Sequence, residues 1–201
     1  GVAILSKIGL DDVRRGLLDE PGFQPDGSML EAHEHRAIGA TCGGIRLWSV
    51  YVPTGRELGH LHYAYKLRWL EALRSTVRAE LDQARRFAVL GDFNIAPTDA
   101  DVWDIGQFIG STHVSAAERA ALAALRGEGL VDVMPRALKY DVPFTYWDYR
   151  QLCFPKNRGM RIDLVYGDER FAASVVDSYV DREARKGTGA SDHAPVVVDV
   201  S

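Results

Sequence analysis

One apolar strand in this chain stops at chemistry. Phe87 to Leu90 reads as a buried strand, and Gly91-Asp92-Phe93-Asn94-Ile95-Ala96-Pro97 follows at once, leaving a carboxylate and a carboxamide two residues apart at the strand's end. Residues i and i+2 of a strand share a face, so Asp92 and Asn94 are expected to project toward one small volume. A carboxylate can orient or deprotonate a water, and an amide that both donates and accepts can hold that carboxylate or a phosphate oxygen. Asp-x-Asn after a strand is also an ordinary turn, so at this level both readings stand.

The neighbouring segments supply the fold around that strand. Arg36 to Thr41 and Ile45 to Val52 read as two strands joined by a Cys42-Gly43-Gly44 turn. After Pro53-Thr54-Gly55 comes a long amphipathic helix that packs on a sheet, with Tyr63, Leu67, Leu70, Leu73, Val77, Leu81 and Ala84 at three- and four-residue steps. Ser115-Ala116-Ala117-Glu118 has the form of a capping box and opens a second helix. Short strands are expected around Val131, Phe144, Arg161 to Tyr166, Val175 to Val180 and Val196 to Val200, while Lys7 to His35 reads as loop. Mixed strands and helices of this kind indicate an α/β layered fold. Gly1-Val2-Ala3-Ile4-Leu5-Ser6 reads as a buried strand already under way, so residues 1–201 are taken as a single domain, incomplete at its N-terminus.

Composition excludes several classes. A chain of 201 residues, 46% hydrophobic, can bury a substantial core. No stretch approaches the length of a membrane span and no signal-peptide pattern is visible, so no membrane partner and a cytoplasmic location are expected. Cys42 and Cys153 are the two cysteines and have no CxxC spacing, which argues against a disulfide framework and a thiolate zinc site. His33-Glu34-His35 and His60-Leu61-His62 lack the spacing of a helical zinc site and read as exposed loop. A net charge of −4 gives no global attraction to nucleic acid, so any polyanion contact rests on a local basic patch.

Two more constellations bear on the opening motif. Asn157 to Val165 sets a basic, glycine-containing loop before a strand, with Asp163 among apolar neighbours where a carboxylate needs a partner. Ser191-Asp192-His193-Ala194-Pro195 precedes the last strand; a carboxylate beside a histidine there suits a metal and phosphate site.

With these residues in view the sequence resembles a known family. The segments VYVPTG, LGDFNIAPT, FTYWDYR, NRGMRIDL and SDHAPVVV, in this order, are similar to the exonuclease III and abasic-site endonuclease family within the endonuclease/exonuclease/phosphatase superfamily. The resemblance covers nearly the whole chain. It implies an α/β four-layered sandwich with two central mixed β-sheets, and metal-dependent hydrolysis of double-stranded DNA at abasic sites and 3′ ends by a monomer. The implied cofactor is Mg2+, with Mn2+ as a substitute. By the same resemblance Tyr51 contacts the scissile phosphate, Asp92 orients or deprotonates the water, and Asn94 holds Asp92. Asp163 orients His193, which contacts a phosphate oxygen, and Asp192 is a metal-proximal carboxylate, with Asp92 and Asn94 as further candidate ligands. Tyr146, Met160 and Ile162 match the pocket for an extrahelical abasic sugar, supported by Trp147, although ordinary core packing explains them nearly as well. Arg56, Arg150, Lys156, Arg158 and Arg161 could hold the DNA backbone, or could be merely solvated. Asp163 could instead pair with Arg161.

The departures set further expectations. The family's first strands, which carry an asparagine and the principal metal glutamate, match nothing in this sequence, so the fragment is expected to be weakly active or inactive. Val133-Met134-Pro135 stand where the family usually has Ser or Thr, an aromatic and Arg, and Met160 replaces the tryptophan of some relatives, softening the pocket wall. Other superfamily activities, on RNA, inositol phosphates or phospholipids, and a catalytically impaired DNA-binding fragment remain the alternatives.

Overall fold

The computed structural model describes residues 1–25, 31–83 and 85–201. Asp11–Arg15 (β1), Ala37–Cys42 (β2) and Ile45–Tyr51 (β3) form an antiparallel ribbon. The β2–β3 connection uses Gly43 and Gly44 at φ +55° and +80°, a two-residue turn whose twist matches the strands and which side-chain-bearing residues resist. Leu61–Leu81 (α1) then carries the chain over the sheet to Arg86–Asp92 (β4), parallel to β3 and in register from Ile45 opposite Arg86 to Tyr51 opposite Asp92. A parallel pair requires such a crossover, and here it leaves Tyr51 and Asp92 side by side at one edge of the sheet.

Ala116–Gly127 (α2) starts at the expected capping box, with Ser115 Oγ accepting from Glu118 N–H and Glu118 accepting in return from Ser115 N–H. Val131–Asp132 (β5), Arg136–Ala137 (β6), Asp163–Gly167 (β7), Glu169–Ser174 (α3), Val175–Val180 (β8) and Val196–Val200 (β9) complete the elements. Two mixed sheets result, one ordered β1-β2-β3-β4-β7-β5 and one β6-β8-β9. The larger sheet turns Trp48, Val50, Phe87, Val89, Leu164 and Tyr166 toward Tyr65, Trp69 and Leu73 of α1 and Leu122 and Leu125 of α2. Its other face places Leu47, Ala88, Leu90 and Val165 against Phe171 of α3 and Val175, Val196 and Val198 of the smaller sheet. Large apolar side chains buried this way contribute about 1.5–3 kcal/mol each. Among the described residues no helix is long and apolar enough to cross a membrane.

Several expectations need correction. Gly1 to Ser6 is not a strand: Leu5 is 92% exposed, and extended chain becomes a strand only by exchanging hydrogen bonds with a neighbour. β1, expected as loop, gains that exchange from β2. No strand forms at Phe144, where Tyr146 makes only single bridges to Met160 and His193. Leu70, Leu73 and Val77 are buried as the periodicity predicts, but Tyr63 and Leu67 are only half-buried; the buried face is rotated toward the bulky Tyr65 and Trp69. Ala84 lies outside the described residues. His60 and His62 are not exposed loop either. His60 Nδ1 caps α1 by accepting from His62 N–H, and buried His62 accepts from Gly55 N–H.

Candidate active site

Register builds the centre of the site. Asp92 of β4 lies between Tyr51 of parallel β3 and Asp163 of antiparallel β7, its cross-strand partners. Gly91 makes the approach of β3 and β4 feasible: at its φ of +141° a Cβ would sit 2.0 Å from Val50 O. Beyond Asp92 the strand ends, because Asn94 adopts φ +51°, a left-handed conformation that asparagine tolerates better than most residues. Asn94 therefore meets Asp92 through a turn rather than a shared strand face. Its N–H donates to Asp92 Oδ1 at 2.8 Å, and its Nδ2 donates to Asp92 Oδ2 at 3.0 Å and to Val52 O at 2.9 Å. The turn and the functional reading are thus one arrangement.

The other half of the site is held by Thr145. Its hydroxyl accepts from Ile162 N–H and Asp163 N–H, each at 3.1 Å, and its carbonyl accepts from Ala194 N–H at 2.7 Å. Asp163 and His193 are thereby brought together, and His193 Nδ1 donates to Asp163 Oδ2 at 2.8 Å. The Tyr146 ring packs 5.0 Å from the imidazole, centroid to centroid. Sequence reading passed over Thr145, although it lies inside FTYWDYR; a fully buried threonine between aromatics was the available signal.

These contacts set the charges. Two carboxylates directly opposite on neighbouring strands repel. Burial, and then the Asp163 charge, push the Asp92 pKa up to about 7. Burial opposes charging of His193, but the Asp163 hydrogen bond and the Asp163, Asp92 and Asp192 charges outweigh it and raise its pKa. The result pairs a carboxylate ready to take a proton near neutrality with an imidazole inclined to keep one.

An open cleft of about 1090 Å³ runs over this centre, and Tyr51, Asp92, Asn94, Asp192, His193, Tyr146, Met160 and Ile162 line it. Met160 and Ile162 line the cleft and also pack with Ala96 and Val102, so the core-packing alternative holds for both. Arg56, Arg150 and Arg158 line the cleft too, with Arg150 paired to Asp148 and Arg158 stacked 4.7 Å from the Trp103 ring. Three sequence-derived residues are placed elsewhere. Arg161 is buried, donating to Asp101 at 2.6 Å and through both terminal nitrogens to Asp132, so it holds the fold and not a DNA strand. The Arg161–Asp163 alternative is excluded by the same contacts. Trp147 is buried against Phe154 and supports the wall from behind, its backbone N–H donating to Asp192 O and its indole N–H to Asn157 Oδ1. Lys156 is exposed and does not line the cleft. Trp103, Phe108 and His113 line it without having been singled out from sequence.

The donors fit a hard cation in type. Asp92, Asp192 and Asn94 offer oxygens, although among the described residues no three His, Cys, Asp or Glu side chains form a metal cage. A small divalent ion that keeps several waters takes one or two carboxylates and a substrate phosphate oxygen, which this set can provide.

A mixed two-sheet sandwich whose cleft joins a buried carboxylate, its amide partner and a carboxylate-bound histidine suits hydrolysis at phosphorus. The chain belongs to the endonuclease/exonuclease/phosphatase family, whose family model matches residues 1–193. Members are generally divalent-metal-dependent nucleases. Among relatives, the chain is 30% identical over 201 residues to recombination repair protein 1 of Drosophila melanogaster, covering 98% of this chain and 27% of that one. It is 28% identical over 209 residues to exodeoxyribonuclease III of Haemophilus influenzae, covering 98% of this chain and 74% of that one. A Neisseria 3′ phosphatase bound to a product DNA hairpin has a TM-score of 0.87 and 34% identity, over 98% of this chain and 73% of that structure.

Proposed function

We propose that this site hydrolyses phosphodiesters of double-stranded DNA, releasing nucleotides or blocking groups from 3′ ends and incising 5′ to abasic sites. The Asp92–Asp163 cross-strand pair carries the reading, because it raises the basicity of one carboxylate while the other fixes His193. Asp92, held by Asn94, orients the attacking water and takes its proton. The Tyr51 hydroxyl and Nε2 of the protonated His193 donate to the phosphate oxygens as charge develops, with Asp163 accepting from Nδ1 and favouring the imidazolium in which both nitrogens donate. Asp192, with Asp92 and Asn94, would hold Mg2+, which when bound would supply Lewis-acid polarisation of the phosphoryl and leaving oxygens. Arg56 and Arg158 at the cleft edge suit backbone phosphates, and Tyr146, Met160 and Ile162 form an apolar wall suited to a sugar that lacks its base. The DNA hairpin in the Neisseria structure and the Haemophilus relative's name support 3′-end processing. The chain acts as a monomer in this proposal, since one copy supplies the residues named.

The deciding experiment incubates the protein and Mg2+ with two duplexes, one with a single tetrahydrofuran abasic analogue and one with a 3′-phosphate. Incision 5′ to the analogue and release of phosphate are expected, both slow, because the family's principal metal glutamate has no counterpart in this sequence. Binding of both duplexes with no cleavage at any divalent metal concentration supports a DNA-binding fragment and sinks the enzymatic reading.

A further inference from the structure

We propose that Lys66 is a positioning residue for hydrolysis: with Glu118 and His113 it clamps the Asn94 carbonyl and thereby fixes the amide that holds Asp92. Lys66 lies on α1, the crossover helix between β3 and β4, and is fully buried. Its ammonium donates to Glu118 Oε1 at 2.5 Å, to Asn94 O at 2.8 Å and to Thr54 O at 3.3 Å, which uses all its donors. Thr54 follows β3 and Asn94 follows β4. One side chain thus ties together the two strand ends that present Tyr51 and Asp92.

Glu118 braces the clamp from the first turn of α2. Besides Lys66, its Oε1 accepts from His113 N–H at 3.0 Å, and its Oε2 accepts from Ser115 N–H at 3.1 Å and Ser115 Oγ at 2.6 Å. His113, at φ +76°, places Nδ1 2.6 Å from Asn94 O. A carbonyl only accepts, so Nδ1 carries the proton and the Asn94 carbonyl receives two donors. Left-handed backbone at Asn94 costs on the order of 1 kcal/mol and persists only where its surroundings over-determine it. These two donors do so.

Stability alone is a poor reason for such a pair, since well-packed apolar residues commonly replace a buried lysine–carboxylate pair at no cost. What an apolar pair cannot supply is a donor to Asn94 O. The inference rests on the reading that Asp92 and Asn94 act on a phosphodiester, so its test needs one readout that does not depend on cleavage. The test variant is K66M/E118Q, which removes both buried charges while the glutamine oxygen accepts from His113 N–H and its amide donates to Ser115 Oγ. Cleavage of the 3′-phosphate duplex with Mg2+ should show kcat reduced about tenfold to a hundredfold, the scale of an ångström-level misplacement, with KM little changed. In parallel, amide exchange by NMR without DNA or metal should accelerate at Asn94, whose N–H donates to Asp92, and not at Phe93, whose N–H donates to Ile162 O. Equal acceleration at both amides, or wild-type kcat with wild-type Asn94 exchange, overturns the clamp. Where wild-type protein cleaves nothing, the functional reading fails and the exchange comparison still decides. H113G, which accommodates positive φ and removes the imidazole donor, covers a double variant that does not fold: kcat should fall severalfold with faster Asn94 exchange, and no change in either overturns the proposal.

Discussion

Replacing Asp92 with asparagine should disable the site and, above neutral pH, strengthen the fold. The native pKa of about 7 stands far above the ordinary aspartate value of 3.8 because Asp92 is buried opposite Asp163. Between those two values the native protein keeps a proton that the unfolded chain has released, so unfolding releases it and rising pH favours unfolding. The penalty grows from about pH 4 and levels off above pH 7. At 1.36 kcal/mol per unit the whole gap corresponds to an upper limit of about 4 kcal/mol, and the pH 5 to pH 8 window to about 2–3 kcal/mol. Asparagine abolishes this term but loses one acceptor for Asn94 Nδ2, at about 1 kcal/mol independent of pH. Thermal unfolding of wild type and D92N at pH 5 and pH 8, both with EDTA, separates the two. The Tm of D92N relative to wild type should be higher at pH 8 than at pH 5 by about 5 °C or more, using about 2–4 °C per kcal/mol for a domain of this size. Cleavage should fall about 10²–10⁴-fold, the usual contribution of a general base. A Tm difference independent of pH would refute the charge argument even with activity lost.

Other substitutions probe the remaining parts. H193Q should cut kcat by about two orders of magnitude and destabilise more at pH 6 than at pH 9, because a raised histidine pKa contributes stability that is full below about 6.5 and fades as pH climbs through the folded value; urea titrations at the two pH values check it. R161M leaves Asp101 and Asp132 without their cation and should cost about 3–5 kcal/mol in denaturant titration, while salt dependence of DNA binding by any folded protein stays unchanged. T145V leaves two strand-start amides without an acceptor and should cost about 1–3 kcal/mol with a fall in kcat. Chelation by EDTA should abolish cleavage and Mg2+ restore it.

Local patterning made much of this readable. The Gly43-Gly44 turn, the Ser115 capping box and the apolar runs at β4, β7, β8 and β9 announce themselves because each depends on neighbours in sequence. Asp92, Asn94, Asp163 and His193 were legible as a set through short motifs in a fixed order. Arg161 was misread because a basic residue in a glycine loop looks solvated until Asp101 and Asp132, far away in sequence, are seen to enclose it. Lys66 escaped notice for a similar reason: on a helix rich in Arg and Glu, nothing local marks the one cation turned inward. Gly1 to Ser6 had the unbroken apolar run of a buried strand but lacked a hydrogen-bonding neighbour, which an apolar run cannot supply.

The pairing of β4 with β7 makes register a catalytic variable. Side chains alternate faces along a strand, so shifting β7 by one residue against β4 would send Asp163 to the helical face, bring Leu164 beside Asp92 and separate His193 from its carboxylate. A single residue inserted between Asp163 and Gly167 would leave every side chain of the site in the protein and the site itself dispersed.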